Sequence, residues 1–564
     1  MTVPLSIAPT SSWNGNDGLW NTFRVSVGTP PQEFRILPST AGQETWLPNP
    51  EGCTTAEPSD PGYCGYLRGT LPYHGANSSG FQTNLSSTWD LIGLYTLDAQ
   101  ESALGYGGNG LYGFDTVTLG IHSTTLTKQV VASVPDLDYW LGIFGLGPKS
   151  INFTTFNNPI PSYLSELASS PVKIPSLSWA YTAGAYYRNK SAASLTLGGY
   201  DSSRSSPANL TFDMNADNSR PLQVAVQKII GQNTLGGAGA GVNMLPTATY
   251  HFLDSTLPHI WLPDDAIQAF VDNFGLMYDG TTDLYLINDT MRSQMLQLSP
   301  TVIFVFGNST VDGSGDTVNI ELPYAAFDLQ TSYPYYQNAT NYFPIRRAAN
   351  ESQYTIGRTF FQEAYVIADH ERNNFTVAQA TAESADSQNL VAIEKPVQQN
   401  SSSSTSTSRP TGSSAPLSSG ALAGVVVGAI VGVSLCASFV WLLLRRNKHK
   451  HQPVPTSNNE RPEGEETVFF AEKNTHSMHK AELSLDSGVH EASDGRPPAG
   501  ELSGQDNMVK AEMEGDMGRA RARPGMVEMS NSPTTHEVGV VTITPVRERI
   551  RYELAGSELT ADER

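Results

Sequence analysis

The stretch Gly420–Leu444, GALAGVVVGAIVGVSLCASFVWLLL, runs for 25 residues without a charge. At about 1.5 Å of rise per residue it is long enough to cross a bilayer core of about 30 Å. Arg445, Arg446, Lys448 and Lys450 follow at once, the mark of the cytoplasmic side of a stop-transfer segment. A buried core helix would not be apolar all round with a basic stop behind it. The chain is therefore expected to be a single-pass membrane protein of type I, with its N-terminal bulk extracellular or lumenal and its tail cytoplasmic. The plasma membrane is the expected location.

Glycosylation acceptors give a separate indication of that topology. Asn-x-Ser/Thr occurs at Asn77, Asn84, Asn152, Asn189, Asn209, Asn288, Asn308, Asn338, Asn350, Asn374 and Asn400, and nowhere after the apolar stretch. Each match alone is weak, but their one-sidedness agrees with an exported glycoprotein. Cys53 and Cys64 lie on the same side, where oxidation is permitted, and are read as closing a small disulfide loop. The first residues, MTVPLSIAPTSSW, hold no basic start and no apolar run of signal length. The expectation is that the true start lies upstream or that a signal has been removed.

Composition narrows the fold of the N-terminal bulk. At about 150 residues per domain, 564 residues suggest three or four units. Charged residues are only 16% and aromatics 9%, with 49 Gly and 36 Pro, which suits an all-β chain with many turns and some unfolded sequence. Short β-branched and aromatic runs separated by turn residues (TFRVSVG, DTVTLG, SLTLGGY, TVIFVFG and EAYVIAD) read as strands. The net charge of −21 argues against nucleic acid as a partner. Residues 445–564 carry 16 basic and 21 acidic residues, leaving 18 against 34 before them, so most of the acidity lies in the exported part.

Four groups of residues in that part resemble the pepsin-like aspartic peptidase family. Phe23–Arg24–Val25–Ser26–Val27–Gly28–Thr29–Pro30–Pro31–Gln32, with Phe34 and Thr45–Trp46–Leu47–Pro48, resembles its opening strands. Gly142–Ile143–Phe144–Gly145–Leu146–Gly147 resembles a strand end, and Ser194–Leu195–Thr196–Leu197–Gly198–Gly199 the strand that crosses between lobes. Thr355–Ile356–Gly357 with Ala364–Tyr365–Val366–Ile367–Ala368–Asp369 resembles the family's close. Order and spacing match over about 360 residues. The resemblance implies an all-β, bilobal fold around a central cleft. Membrane-anchored members of this kind are mostly fungal. The implied organisation is an N-terminal segment (1–16), an N-terminal β-lobe (17–192), a C-terminal β-lobe (193–382), a Ser/Thr-rich stalk (383–419), the transmembrane helix (420–444) and a disordered tail (445–564).

The family's chemistry, by resemblance, needs two carboxylates that share one proton and one water, each in an Asp-Thr/Ser-Gly turn. Counted against that pattern, the first Asp position falls on Ser39, in Pro38–Ser39–Thr40–Ala41–Gly42, and its Gly position on Ala41. The second falls on Asp254, with Thr256 at the following Gly position. A hydroxyl cannot serve as general base near neutral or acid pH, and a lone carboxyl cannot play acid and base in one turnover. Glu44, on the way to Trp46, is the acid nearest in sequence to Ser39 but is expected to point elsewhere. The flap also departs from the family. Tyr106–Gly107 stands only nine residues before Asp115–Thr116–Val117, and Glu101–Leu111 is Gly-rich, so Tyr106 and Gly107 mark a candidate flap of unusual shape. Asp254 itself is expected mainly to accept hydrogen bonds within its turn.

Three readings follow. The first is a catalytically inactive, pepsin-like surface glycoprotein that binds or senses a peptide or glycan in its cleft. The second is an active acid endopeptidase, favoured if a second carboxylate faces Asp254 in the folded cleft. The third is a structural or signalling protein acting through cytoplasmic partners of its tail, favoured if the cleft is collapsed. No cofactor and no metal site are expected.

Overall fold

The computed structural model describes residues 3–396 apart from 98–99, 122, 154–155, 170–172, 208–209, 238, 240, 312, 314 and 382–387. The apolar span, the tail, Asn209 and Asn400 lie outside the described residues. Among the described residues no helix is long and apolar enough to cross a membrane.

Three sheets position the site. The first lobe is an eight-stranded sheet in the order Pro9–Asn14, Trp20–Val27, Gln32–Ser39, Gly142–Gly145, Thr45–Pro48, Thr125–Val134, Asn109–Leu119 and Asp90–Thr96. It closes on itself, because Trp20–Val27 also pairs with Asn109–Leu119. The sequence shows why these segments extend. In Trp20–Val27, Phe23, Val25 and Val27 are buried while Arg24 and Ser26 between them are half-buried, the period-two alternation of a one-sided strand. Gln32–Ser39 is covered on both faces along its second half, where Ile36, Leu37 and Pro38 follow one another without polar alternation.

The second lobe repeats the scheme. Thr317–Pro323, Thr301–Gly307, Gln223–Gln232, Thr249–Leu253, Thr355–Ile356, Ile260–Leu262 and Ile345–Arg347 lie side by side, with Val242–Asn243 pairing off the path. A third, six-stranded antiparallel sheet joins the halves in the order Leu5–Ile7, Ser194–Leu197, Ser178–Thr182, Ala364–Asp369, Asn374–Gln379 and Thr211–Asp213. It interleaves strands from both halves of the chain, and its residues belong to one continuous buried core with those of both lobes. All five runs read as strands in the sequence form strands here.

The equivalence of the lobes is clearest where they meet. Gln32–Ser39 runs parallel to Gly142–Gly145, with Ser39 opposite Gly145. Thr249–Leu253 runs parallel to Thr355–Ile356, with Leu253 opposite Ile356. In each lobe a further strand, Thr45–Pro48 or Ile260–Leu262, pairs antiparallel with that short partner. The turns after Ser39 and Leu253 therefore project from matching sheet ends toward one another. Gly145 and Gly357 sit under these turns. A Cβ on Gly145 would lie 2.4 Å from the Gln43 backbone nitrogen, and one on Gly357 would lie 2.1 Å from the His259 carbonyl oxygen, so no side chain fits at either place.

Candidate active site

The two turns are locked together by a reciprocal set of hydrogen bonds. Ser255 N–H donates to Thr40 Oγ1 at 3.0 Å and Thr40 N–H to Ser255 Oγ at 3.2 Å. Thr40 Oγ1–H then donates to the Leu253 carbonyl at 3.2 Å, and Ser255 Oγ–H to the Pro38 carbonyl at 2.7 Å. Each hydroxyl thus joins both lobes, and all four residues are satisfied within the protein interior. Arg358 braces the second turn from behind. It donates to the carbonyls of Ser255 (3.2 Å) and Thr256 (2.8 Å) and pairs with Asp17 at 3.2 Å.

At the centre lies a relay rather than a pair of aspartates. Gly42 N–H donates to Ser39 Oγ at 2.7 Å, and Ser39 Oγ meets Thr256 Oγ1 at 2.7 Å. Thr256 Oγ1–H and N–H both donate to Asp254 Oδ1, at 2.6 and 2.9 Å. Since the Thr256 proton goes to Asp254, the Ser39 proton must go to Thr256. The first-lobe turn therefore contributes a donor hydroxyl where the resemblance implies a carboxylate. The role expected for Asp254, accepting hydrogen bonds within its own turn, matches these contacts.

Glu44 points away, as expected. Its Oε2 accepts from Trp46 Nε1 and from the Tyr112 hydroxyl, both at 2.9 Å. A different acid faces Asp254, and the sequence reading had not named it as a site residue. The hairpin of Asp90–Thr96 and Asn109–Leu119 carries at its tip a short 3-10 turn, Gln100–Leu104. From this tip Glu101 reaches down onto the centre. It lies beside Asp254 and Thr256 and is only 2% exposed. Burial, and next the Asp254 charge, push the Glu101 carboxyl well above the usual carboxylate range. Tyr139 faces the same acid and is also pushed up, mainly by burial. Arg220 stands nearby, its guanidinium 3.6 Å from the Phe252 ring centroid and bonded to Thr355 Oγ1 at 3.1 Å.

Tyr106 belongs to the same tip. Its N–H donates to the Glu101 carbonyl at 3.0 Å. Its buried ring packs edge-on against Trp261 at 6.5 Å, with the Arg346 guanidinium 5.5 Å from both rings. Gly107 has open space where a Cβ would stand, so the following glycine is not required sterically. Gln353 Nε2 of the second lobe donates to the Ala103 carbonyl at 2.6 Å and ties the tip across the cleft. A space of about 20 Å³ lies beside Thr256, between Tyr139, Leu257 and Arg358, room for about one water molecule.

Away from the centre, Cys53 and Cys64 are disulfide-bonded between two short helices, Pro50–Ala56 and Pro61–Leu67. The acceptor asparagines Asn77, Asn84, Asn189, Asn288, Asn308, Asn338 and Asn350 are exposed, while Asn152 and Asn374 are half-buried. Among the described residues no three His, Cys, Asp or Glu side chains gather as a metal cluster.

Paired turns at the ends of matching sheets, gripping one another under a hairpin cover, define a bilobal pepsin-like protein. The family model for eukaryotic aspartyl proteases matches residues 22–380, and the chain belongs to that family. It is 23% identical to candidapepsin-3 of Candida albicans over 357 residues, which cover 63% of this chain and 78% of that protein. It is likewise 23% identical to candidapepsin-1 of Candida albicans over 376 residues, 65% of this chain and 83% of the relative. Mucorpepsin of Rhizomucor miehei is 34% identical over a shorter 134 residues, 22% of this chain and 26% of that protein.

Proposed function

We propose that this chain is a non-hydrolysing, membrane-anchored surface member of the family whose cleft binds an extended peptide or glycan when its flap lifts. The observation that carries the reading is the relay from Ser39 through Thr256 to Asp254. At the place of one catalytic carboxylate stands a hydroxyl whose proton is already committed. Losing a proton-transfer partner costs about 10²–10⁴ in rate, and here the same partner is needed for both halves of the reaction. The exposed acceptor asparagines, the disulfide and the secreted aspartic protease relatives support an extracellular placement. The charge-free span at 420–444 supports the anchor.

The Glu101–Asp254 contact favours a second reading, an acid endopeptidase with a displaced pair, because two carboxyls sharing a proton can divide acid and base roles. Its weakness is geometric. Glu101 rides on the flap, so the pair exists only while the tip fills the cleft. Lifting the flap to admit a peptide removes the second carboxyl. The filled cleft equally suits a protein that acts through its tail, and a ligand found for the open cleft separates that case from the first.

The deciding experiment is cleavage of a peptide library by the purified full chain between about pH 3 and 7. The expected result is no cleavage above that of Asp254→Asn. Cleavage by the unaltered chain that is abolished by both Asp254→Asn and Glu101→Gln would establish the displaced pair and overturn this reading.

A further inference from the structure

Among the described residues of the flap, Glu101 is the carboxyl that lies against Asp254. The Gln100–Leu104 turn is held locally by Gly105 N–H to the Ser102 carbonyl at 3.1 Å and by Tyr106 N–H to the Glu101 carbonyl at 3.0 Å. It is held across the cleft by Gln353 to Ala103 and by the Tyr106–Trp261 contact. Glu101 adds a polar hold on the floor of the cleft, its buried carboxyl lying beside Asp254 and Thr256. Thr256 gives its hydroxyl proton to Asp254, so a proton between Glu101 and Asp254 has to come from one of the two carboxyls themselves.

We propose that the Gln100–Leu104 turn is a protonation-dependent latch: protonated Glu101 holds the flap down on Asp254, and its ionisation lifts the flap and opens the cleft. The proposal rests on the cleft being a binding site and supplies its regulation. In the closed state the Glu101 O–H donates to the Asp254 carboxylate. When that proton leaves to solvent, two buried carboxylates face each other with the single Thr256 hydroxyl proton to share, and like charges at contact drive them apart.

The surrounding groups offset that repulsion only in part. On the second lobe Arg220 is the nearby cation and attracts both carboxylates, but its hydrogen bonds go to the Ser352 carbonyl and to Thr355 Oγ1 and its guanidinium is stacked on Phe252. On the first lobe Tyr139 faces Glu101, and burial keeps it neutral through the physiological range. On the tip itself Tyr106 is likewise held neutral, with Arg346, Asp138 and Asp17 facing it. Glu351, on the turn packed against the tip, lies by Tyr354. Burial and the Asp254 charge raise Glu101 in the closed state. Closure is therefore complete below the ordinary glutamate range and is lost as pH rises through the closed-state value. Each unit separating the closed and open values is worth tenfold in the closing equilibrium.

The test is hydrogen exchange on the purified full chain at pH 4.5 and 7.5, corrected for the intrinsic rate and with no ligand present. The protection of the Leu97 and Tyr106 amides, which donate to Gly108 and Glu101, should fall at least tenfold between the two. Glu101→Gln keeps the shape and a donor but cannot ionise, and should hold its protection at both pH values. Glu101→Ala should lose it at both, while amides of the Ala364–Asp369 strand stay protected and show that the fold is intact. Unchanged wild-type protection across the two pH values, or a Glu101→Gln variant that follows the wild type, would overturn the latch. Because no ligand enters the measurement, that failure leaves the binding reading standing. The binding reading fails separately if Glu101→Ala, with its cleft open, retains no member of a peptide or glycan array.

Discussion

The hydroxyls of Ser39 and Thr256 meet at 2.7 Å across the boundary between the lobes. Thr256 passes its own proton to Asp254, so Ser39 is a donor in a chain with a fixed direction. An aspartate in its place only accepts when ionised, and it would face an oxygen whose proton is already used. Ser39 is fully buried, so the new charge would also have no water. Ser39→Asp alone is expected to give no peptidase activity and to cost about 1–3 kcal/mol, the penalty of a buried group left unsatisfied. Denaturant unfolding measures the cost. Detectable cleavage of an unfolded protein substrate at pH 3–5 is expected only when Ala41→Gly, Thr256→Gly and Glu101→Ala accompany it, which clear the turn and the cleft.

The Thr40 hydroxyl joins the lobes through two bonds, from Ser255 N–H and to the Leu253 carbonyl. Thr40→Ala leaves both backbone groups buried without that partner and should cost about 2–4 kcal/mol. Thr40→Ser keeps the oxygen and should cost under about 1 kcal/mol. Chemical denaturation of the two variants side by side separates the bonds from the lost methyl group. Equal losses would mean that packing, not the hydroxyl, holds the lobes together here.

The Cys53–Cys64 bond closes a loop of 11 residues in sequence separation. Chain-entropy arguments put the stabilisation from a loop of about this size near 3 kcal/mol. Cys53→Ser/Cys64→Ser should therefore lower the unfolding free energy by about 2–3 kcal/mol. A thiol-reactive label should reach neither residue in the unreduced, denatured chain, and labelling of both would refute the pairing.

What the sequence reveals of this molecule follows the range of the interactions. The strands around Phe23–Val27, Asp115–Leu119 and Ala364–Asp369 could be read because burial patterns and turn residues are local. Ser39 and Asp254 could be placed because each sits a fixed count from a strand end. Glu101 could not be found that way, since its partner lies more than a hundred residues on and depends on how a hairpin tip folds over the opposite lobe. Attention to Glu44 followed sequence proximity, but the path of the chain toward Trp46 turns that carboxylate to Trp46 and Tyr112. The available signal was an acid in a Gly-rich covering segment above a site that already held an acid.

Histidine burial sets the response of the whole fold to acid. His251 stacks on Tyr354 at 5.1 Å and bonds Thr249 Oγ1 through Nε2 at 2.9 Å, and burial pulls its pKa down to about 3. His370 accepts from Trp179 Nε1 at 3.1 Å and is pulled down to about 4, again by burial. His259 is lowered by burial and then by Arg346 and Arg358. Each stays neutral in the folded chain while its unfolded counterpart, with an ordinary value of about 6.5, takes up a proton. The unfolded state then binds more protons, so stability falls as pH drops below about 6.5 and continues to fall until the folded values are reached. For His251 alone the loss from pH 7 to pH 5 should be about 2 kcal/mol. Denaturant unfolding of His251→Gln at the two pH values should show that much less acid sensitivity than the unaltered chain. An identical pH slope would mean that His251 is protonated in the fold. Glu101 titrates in the opposite sense, since its raised value favours closure at low pH and opposes it at high pH. The flap is thus held most tightly under the acid conditions in which the rest of the fold is weakest, and Glu101→Gln should raise stability at pH 7.5 while leaving it nearly unchanged at pH 4.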